Sequence, residues 1–276
     1  MNDWNIEKWL SDSEIAEIEY SDYWNDEEKE KNKEWYILDG DFTKMEQYLQ
    51  KNRLAQSLQQ CIEALKNDFK RQFEGVGLDL AAGNLWAARY LFDLGVIEKL
   101  YCVEYSKHRL LRIGPKVLDY YNIPKERVVL VQGSFYNLHL PEKSVDFVFM
   151  SQAFHHADNP VKLMEEVRRV LKPNGIVIII GEHIVAYRIK YIKHAIKFII
   201  SGFPEYLQEF LFGNTFNVKT LIAKTNEVLP PNPVLGDHFY TDRAYKHMFS
   251  QHGFKIRHFK NHNSRFQSFL LVGNGA

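Results

Sequence analysis

The sequence is short of the features that mark a secreted, membrane-spanning or nucleic-acid-binding protein. It holds only two cysteines, Cys61 and Cys102, one in a helical pattern and one in a strand pattern, and no signal-peptide pattern opens it. The expectation is a reduced, cytoplasmic protein. An uncharged apolar run of about 18 residues, as a membrane span requires, is missing. Net charge is zero, with 35 basic against 35 acidic residues, and the pI is about 7.2. No global field therefore draws the chain to nucleic acid. There is no internal repeat and no low-complexity tract. His-Glu-x-x-His spacing and cysteine pairs are absent, so no metal site is expected.

What is present is enough apolar material for one large core: 276 residues, 45% of them hydrophobic, arranged as one domain with insertions or as two small ones. The neutral total hides an uneven distribution. Residues 1–34 carry twelve Asp/Glu against four Lys/Arg, and residues 184–276 carry twelve Lys/Arg against five Asp/Glu. Either these are two solvated faces, or the acidic arm packs near the basic C-terminal segment around a site.

The stretch that organises the rest is Val76-Gly-Leu-Asp-Leu-Ala-Ala-Gly-Asn-Leu-Trp86. It reads as a buried strand ending at Asp79, a small-residue turn at Ala81-Ala82-Gly83, and a helix from about Asn84. Such a hand-over leaves backbone N–H groups and open space at the carboxyl edge of a sheet, where nucleotides bind. Only Gly83 remains of a G-x-G-x-x-G fingerprint, and no Gly-Lys-Ser/Thr follows, so a dinucleotide site and a P-loop are both disfavoured.

Before that strand, aromatic residues (Trp4, Trp9, Tyr20, Tyr23, Trp24, Trp35, Tyr36) stud the acidic arm and suit a docked segment. Trp35 and Tyr36 are candidates for lining the site. Ser11 with Glu14, and Thr43 with Glu46, have capping-box spacing and predict helix starts near residues 12 and 44. A longer helix over 55–73 stripes Leu58, Ile62, Leu65 and Phe69. After it, an amphipathic helix over 85–94 stops at Gly95, and a strand over 100–104 ends in Glu104. That carboxylate lies 21 residues beyond Gly83, where a doubly wound fold offers an acid to two ribose hydroxyls.

A helix over 106–121, a strand over 128–131, a strand near 145–148, a helix over 164–171 and a strand over 176–180 complete the alternation. Strand and helix in turn imply a parallel sheet covered on both faces. A basic amphipathic helix over 184–203 would either pack on the sheet or lie on a membrane surface. Residues 204–239 form an insertion suited to holding a substrate, and Gly236 to Tyr240 would face the site. A helix over 242–252, capped by Thr241 or Asp242, and strands over 255–260 and 266–272 close the chain.

Asp79-Leu-Ala81-Ala-Gly83-Asn-Leu85 resembles the first motif of class I S-adenosylmethionine-dependent methyltransferases, D-x-G-x-G-x-G, with Ala81 and Leu85 at two glycine positions. Leu140-Pro141 to Val148 looks like the fourth strand of that family with its entry turn. The loop Gln152-Ala-Phe-His155-His156 is similar to that of the small-molecule branch related to quinone-biosynthesis enzymes. The resemblance covers residues 70–183 and, more weakly, 240–272.

It implies an α/β, doubly wound, Rossmann-like sheet, mostly parallel with an antiparallel last strand. The implied domains are an N-terminal helical arm or lid (1–70), a cofactor-binding core (71–183), a substrate-covering insertion (184–240) and a C-terminal completion of the sheet (241–276). S-adenosylmethionine is the implied cofactor, contacted by Asp79, Ala81, Gly83, Glu104, Tyr105, Ser134, Phe135 and Gln152. Ser134 stands where the family usually has Asp. His155 and His156 are the catalytic candidates beside the transferred methyl. The implied reaction is methyl transfer to a small or lipid-like acceptor. A degenerate cofactor-binding or regulatory protein, and a nucleic-acid methyltransferase, stay open as alternatives; the second lacks the Asn/Asp-Pro-Pro-Tyr/Phe motif after the fourth strand.

Overall fold

The computed structural model describes residues 4–18, 20–33, 36–37, 41–184, 227–229, 232, 235–260 and 266–273. Its frame is an eight-stranded sheet. The central strands are β2 (Glu74–Leu80), β3 (Val96–Glu104), β4 (Val128–Gln132), β5 (Val145–Ser151) and β6 (Leu171–His183), all mutually parallel where they pair. Their apolar runs reflect burial on both faces. β9 (Phe254–Phe259) and β10 (Phe266–Gly273) complete one edge, and β10 runs antiparallel to β6.

The opposite edge was not anticipated. β1 (Asn5–Lys8), inside the acidic arm, adds to β4 in parallel, giving the order β1-β4-β3-β2-β5-β6-β10-β9. Trp9 and Leu10 continue the attachment by donating their N–H groups to the carbonyl of Gln132. The arm is therefore part strand, where helices alone had been expected.

Helices cover both faces. α1 (Asp12–Ala16) forms with the expected capping box between Ser11 and Glu14. α2 (Ser21–Trp24) and α3 (Glu27–Glu30) follow. α4 (Phe42–Lys51) starts two residues before the expected point, because Asp41 and not Thr43 caps it, accepting from the N–H of Thr43 at 3.1 Å. α5 (Leu54–Phe69) buries Leu54, Leu58, Cys61 and Leu65, so Ile62 and Phe69 only flank the contact face. α6 (Ala87–Leu94) starts later than expected, since Leu85 has φ +64° and cannot continue a right-handed helix. A π-turn over Arg109–Ile113 leads into α7 (Gly114–Tyr120) where one regular helix had been expected. On the other face lie α8 (Pro160–Val170) and α9 (Asp242–Gln251), the latter capped by Thr241.

The alternation reverses between β2 and β5: from β2 the chain builds outward through β3 and β4, then returns to add β5 and β6 on the other side. This switch leaves a crevice at the carboxyl ends of the strands. The short β7 (Glu227–Leu229) and β8 (Phe239–Tyr240) pair apart from the main sheet. Residues 185–226, including almost all of the basic amphipathic helix expected at 184–203, lie outside the described residues, as does Trp35. No described helix is long and apolar enough to cross a membrane.

The first motif keeps its backbone although its glycines have changed. Ala81, Gly83 and Leu85 have φ of +53°, +57° and +64°, so all three motif positions take the left-handed conformation. For alanine and leucine this costs roughly 1–2 kcal/mol per residue. Ala81→Gly is therefore expected to stabilise the protein by about 1 kcal/mol. Leu85→Gly relieves similar strain but removes a fully buried side chain packed on Gly114, a loss of about 2–5 kcal/mol. Thermal unfolding of both variants should therefore show opposite shifts. A clear fall in Tm for Ala81→Gly would refute the strain argument.

Candidate active site

The crevice opens into a cavity of about 540 Å³. All ten candidate residues line it: Asp79, Ala81, Gly83, Glu104, Tyr105, Ser134, Phe135, Gln152, His155 and His156. They come from the carboxyl ends of four adjacent strands. The family resemblance singled most of them out, and the parallel topology brings the strand ends that carry them together.

At the first two strands the site is acidic. Glu104 is buried and accepts from the N–H groups of Gly83 and Ser106, both at 2.9 Å. These bonds orient the carboxylate toward the turn, and each oxygen keeps acceptor capacity. Asp79 is also buried, and its Oδ2 has no protein hydrogen-bond partner. Burial, with the neighbouring charge of Glu104, pushes the Asp79 carboxyl well above the usual carboxylate range. Ser151 Oγ is a second buried polar atom of the lining without a partner. A pair of acids and an orphaned hydroxyl fit a polar, cation-bearing ligand with a diol, as S-adenosylmethionine is.

Farther along, the Ser134 hydroxyl accepts from the N–H of Tyr136 at 3.2 Å, and Phe135 packs edge-on against Tyr136. Gln152, with φ +52°, accepts at Oε1 from the Tyr48 hydroxyl of α4 at 2.8 Å. Burial and the charge of Glu104 push the Tyr105 phenol up.

The histidine end is built around a carboxylate that the sequence reading missed. Glu182, near the end of β6, is fully buried. It accepts from the N–H groups of Ala153, Phe154 and His155 at 3.3, 3.2 and 3.1 Å, and from the Tyr245 hydroxyl at 3.0 Å. It also pairs with His155 Nδ1 at 2.9 Å. Burial would lower the His155 pKa, but the charge and hydrogen bond of Glu182, with Asp237 behind, hold it above the usual histidine range. Burial raises and His155 lowers the Glu182 carboxyl, with a net fall. His156 goes the other way: burial, then the charges of His155 and Arg109, push it well below the usual range. Asp237 also lines the cavity, with Oδ1 3.3 Å from His156 Nδ1 and 3.8 Å from His155 Nε2.

The acidic arm closes this end, with the Tyr20 ring against Gly236 of the C-terminal segment, and it forms ion pairs with a third segment. They cluster at 107–112: Asp12 meets Lys107 at 2.8 Å, Glu27 meets Arg112, and Glu30 meets His108 and Arg109. Arg109 lies 4.7 Å over the Trp24 ring, and Trp24 packs edge-on against His156 at 5.1 Å. Tyr20 and Trp24 thus supply the aromatic lining expected of Trp35 and Tyr36. Tyr36 does not line the cavity and donates its hydroxyl to Glu27 at 2.7 Å.

The fold is the α/β, Rossmann-like fold of class I methyltransferases. Residues 78–179 match the family model described as a methyltransferase domain. S-adenosylmethionine is the cofactor of such a domain, and the acidic pair at the cavity floor fits it. Among solved structures, magnesium protoporphyrin IX methyltransferase from Synechocystis PCC 6803 is similar over 95% of this chain and 100% of its own, at 12% identity and TM-score 0.57. A SAM-dependent methyltransferase from Aquifex aeolicus is similar over 78% of this chain and 89% of its own, at 16% identity and TM-score 0.50. At these identities the likenesses show the fold. No curated protein sequence matches.

Proposed function

We propose that this protein transfers a methyl group from S-adenosylmethionine to a small or lipid-like acceptor, in the manner of the branch related to quinone-biosynthesis enzymes. The observation that carries the reading is the convergence of all ten candidate residues on one cavity, with Asp79 Oδ2 buried there without a hydrogen-bond partner. When bound, the cofactor supplies an activated methyl on a sulfonium, so the protein's part is to bind, align and exclude water. Glu104 takes the ribose hydroxyls, and Asp79 with the 81–83 turn takes the polar end. Ser134 and Phe135 hold the adenine, and Gln152 is fixed by Tyr48.

His155 and His156 orient the acceptor, with Leu235 and Asp237 contributed by the insertion. The aromatic lining from Tyr20, Trp24, Trp86 and Phe266 favours an acceptor with an apolar body. The arm over 1–70 serves as a lid, because its Tyr20, Trp24 and Tyr48 wall the cavity.

Calorimetric titration with S-adenosylmethionine and S-adenosylhomocysteine tests the reading. The wild type should bind both at micromolar concentration. Glu104→Gln, which preserves shape but not charge, should lose about a hundredfold, as two charge-assisted hydrogen bonds are worth. A wild type that binds neither ligand would overturn the proposal. Once an acceptor is known, unchanged turnover in both His155→Ala and His156→Ala would remove their orienting role.

A further inference from the structure

We propose that His155, His156 and Asp237 form a binding site for one divalent first-row transition-metal ion, at the histidine end of the cavity. One ligand atom from each residue lies within 4.8 Å of the others, and the atoms facing Asp237 Oδ1 are His155 Nε2 and His156 Nδ1. Bonds of about 2.0–2.2 Å to a shared ion set ligand–ligand separations of about 3–3.5 Å. The observed 3.3 and 3.8 Å from the two imidazoles to Asp237 Oδ1 need only a small contraction.

Three further observations make this more than a chance cluster. Nδ1 of His155 is taken by Glu182 at 2.9 Å, which fixes the ring and turns Nε2 toward Asp237. A carboxylate behind the far nitrogen is the usual support of a metal-bound histidine. Nδ1 of His156 is buried and makes no hydrogen bond of proper geometry, even to the carboxylate 3.3 Å away. The loop carrying Asp237 is stitched in place: its carbonyl accepts from Asn232 N–H at 2.9 Å, and His238 N–H donates to the His155 carbonyl at 2.7 Å. Thus the residue preceding His238 is held over the two imidazoles by backbone bonds that do not involve its carboxylate.

Two imidazoles and one carboxylate suit Zn(II), Mn(II), Fe(II) or Co(II) better than Mg(II) or Ca(II), which prefer all-oxygen sites. Three protein ligands leave positions open, and all three residues line the cavity. Resting on the methyl-transfer reading, those open positions face the acceptor, and the acceptor class becomes one with an anionic or ionisable oxygen.

The test is metal titration of the full-length, tag-free chain after chelator treatment, using Zn(II), Mn(II) and Co(II) chlorides followed by calorimetry, with Co(II) also followed by its visible spectrum. One ion per chain should bind. His156→Ala and Asp237→Ala should each weaken it by at least about tenfold, whereas His247→Ala, at an exposed histidine of α9, should leave it unchanged. Absence of stoichiometric binding of all three metals, or binding that both site variants retain, overturns the proposal. Titration with S-adenosylhomocysteine on the same samples separates this failure from failure of the methyl-transfer reading, because Asp79 and Glu104 are not among the ligands.

Discussion

Replacing Glu30 with glutamine should release the N-terminal arm at neutral pH. Glu30 is fully buried, and its carboxylate is gripped by His108 Nε2 at 2.6 Å, by Arg109 Nε at 3.0 Å and by a second Arg109 nitrogen. Burial opposes its charge, but those partners win and hold its pKa down to about 2, from an ordinary 4.5. A shift of that size is worth about 3 kcal/mol. Breaking a buried pair costs about 3–5 kcal/mol, because the remaining cation is left uncompensated. The neighbouring exposed pairs, such as Lys8–Asp12, contribute at most about 1 kcal/mol each. Beside the β1–β4 pairing and the burial of Trp4, Trp9 and Ile15, Glu30 is therefore the arm's strongest polar attachment.

The same geometry fixes the sign of an acid transition. The folded-state pKa is depressed, so the stabilisation is fully present above about 4.5 and is lost as pH falls from there through about 2. Four of the five tryptophans lie in the arm, so their fluorescence reports its release. The wild type should shed the arm in that window while the sheet persists, and Glu30→Gln should be shed already at pH 7 and cut early by protease. Cofactor affinity should fall with it, since Tyr20 and Trp24 leave the cavity wall. A Glu30→Gln protein with wild-type proteolysis and an unchanged acid profile would sink the latch.

That latch shows why part of the molecule was hidden from the sequence. The strands from β2 to β6 were legible because burial on both faces writes itself as short apolar runs, and Asp79 and Glu104 because an acid at the end of such a run has few other uses. The turn was legible even without two of its glycines, since Asp79, Gly83 and the small Ala81-Ala82 keep the pattern, and Ala81 and Leu85 still take the left-handed backbone. Glu30 was not legible: its partners lie 78 and 79 residues away, and in sequence it is one acid among twelve. β1 was missed for a related reason. Asn-Ile-Glu-Lys carries no apolar run, and what makes it a strand is the open edge of β4. Asp237 was placed near the site only as part of a loop, because its meeting with His156 depends on the fold of the insertion.

Glu182→Ala should be the most damaging single change near the site. One buried carboxylate accepts from three consecutive backbone N–H groups, an imidazole and a phenol, drawn from the loop after β5 and from α9. Each donor left unsatisfied in the interior costs about 1–3 kcal/mol. The sum would rival the whole stability of a domain, so the loop over 153–156 is expected to rearrange to recover part of it. A net loss of about 4 kcal/mol corresponds to a fall in Tm of roughly 7–8 °C in a chain of this length. Tyr245→Phe removes only one of the five bonds and should cost about 1 kcal/mol. Combined with Glu182→Ala it should cost less than it does alone, since the hydroxyl has already lost its acceptor. Glu182→Gln keeps one acceptor oxygen but turns amide hydrogens toward the remaining donors, and should fall between the two. Thermal unfolding of the four variants sets this order. A Glu182→Ala protein melting within a degree or two of the wild type would show that the loop carrying His155 and His156 is held by the packing of its Phe154 on Phe249, and not by the carboxylate beneath it.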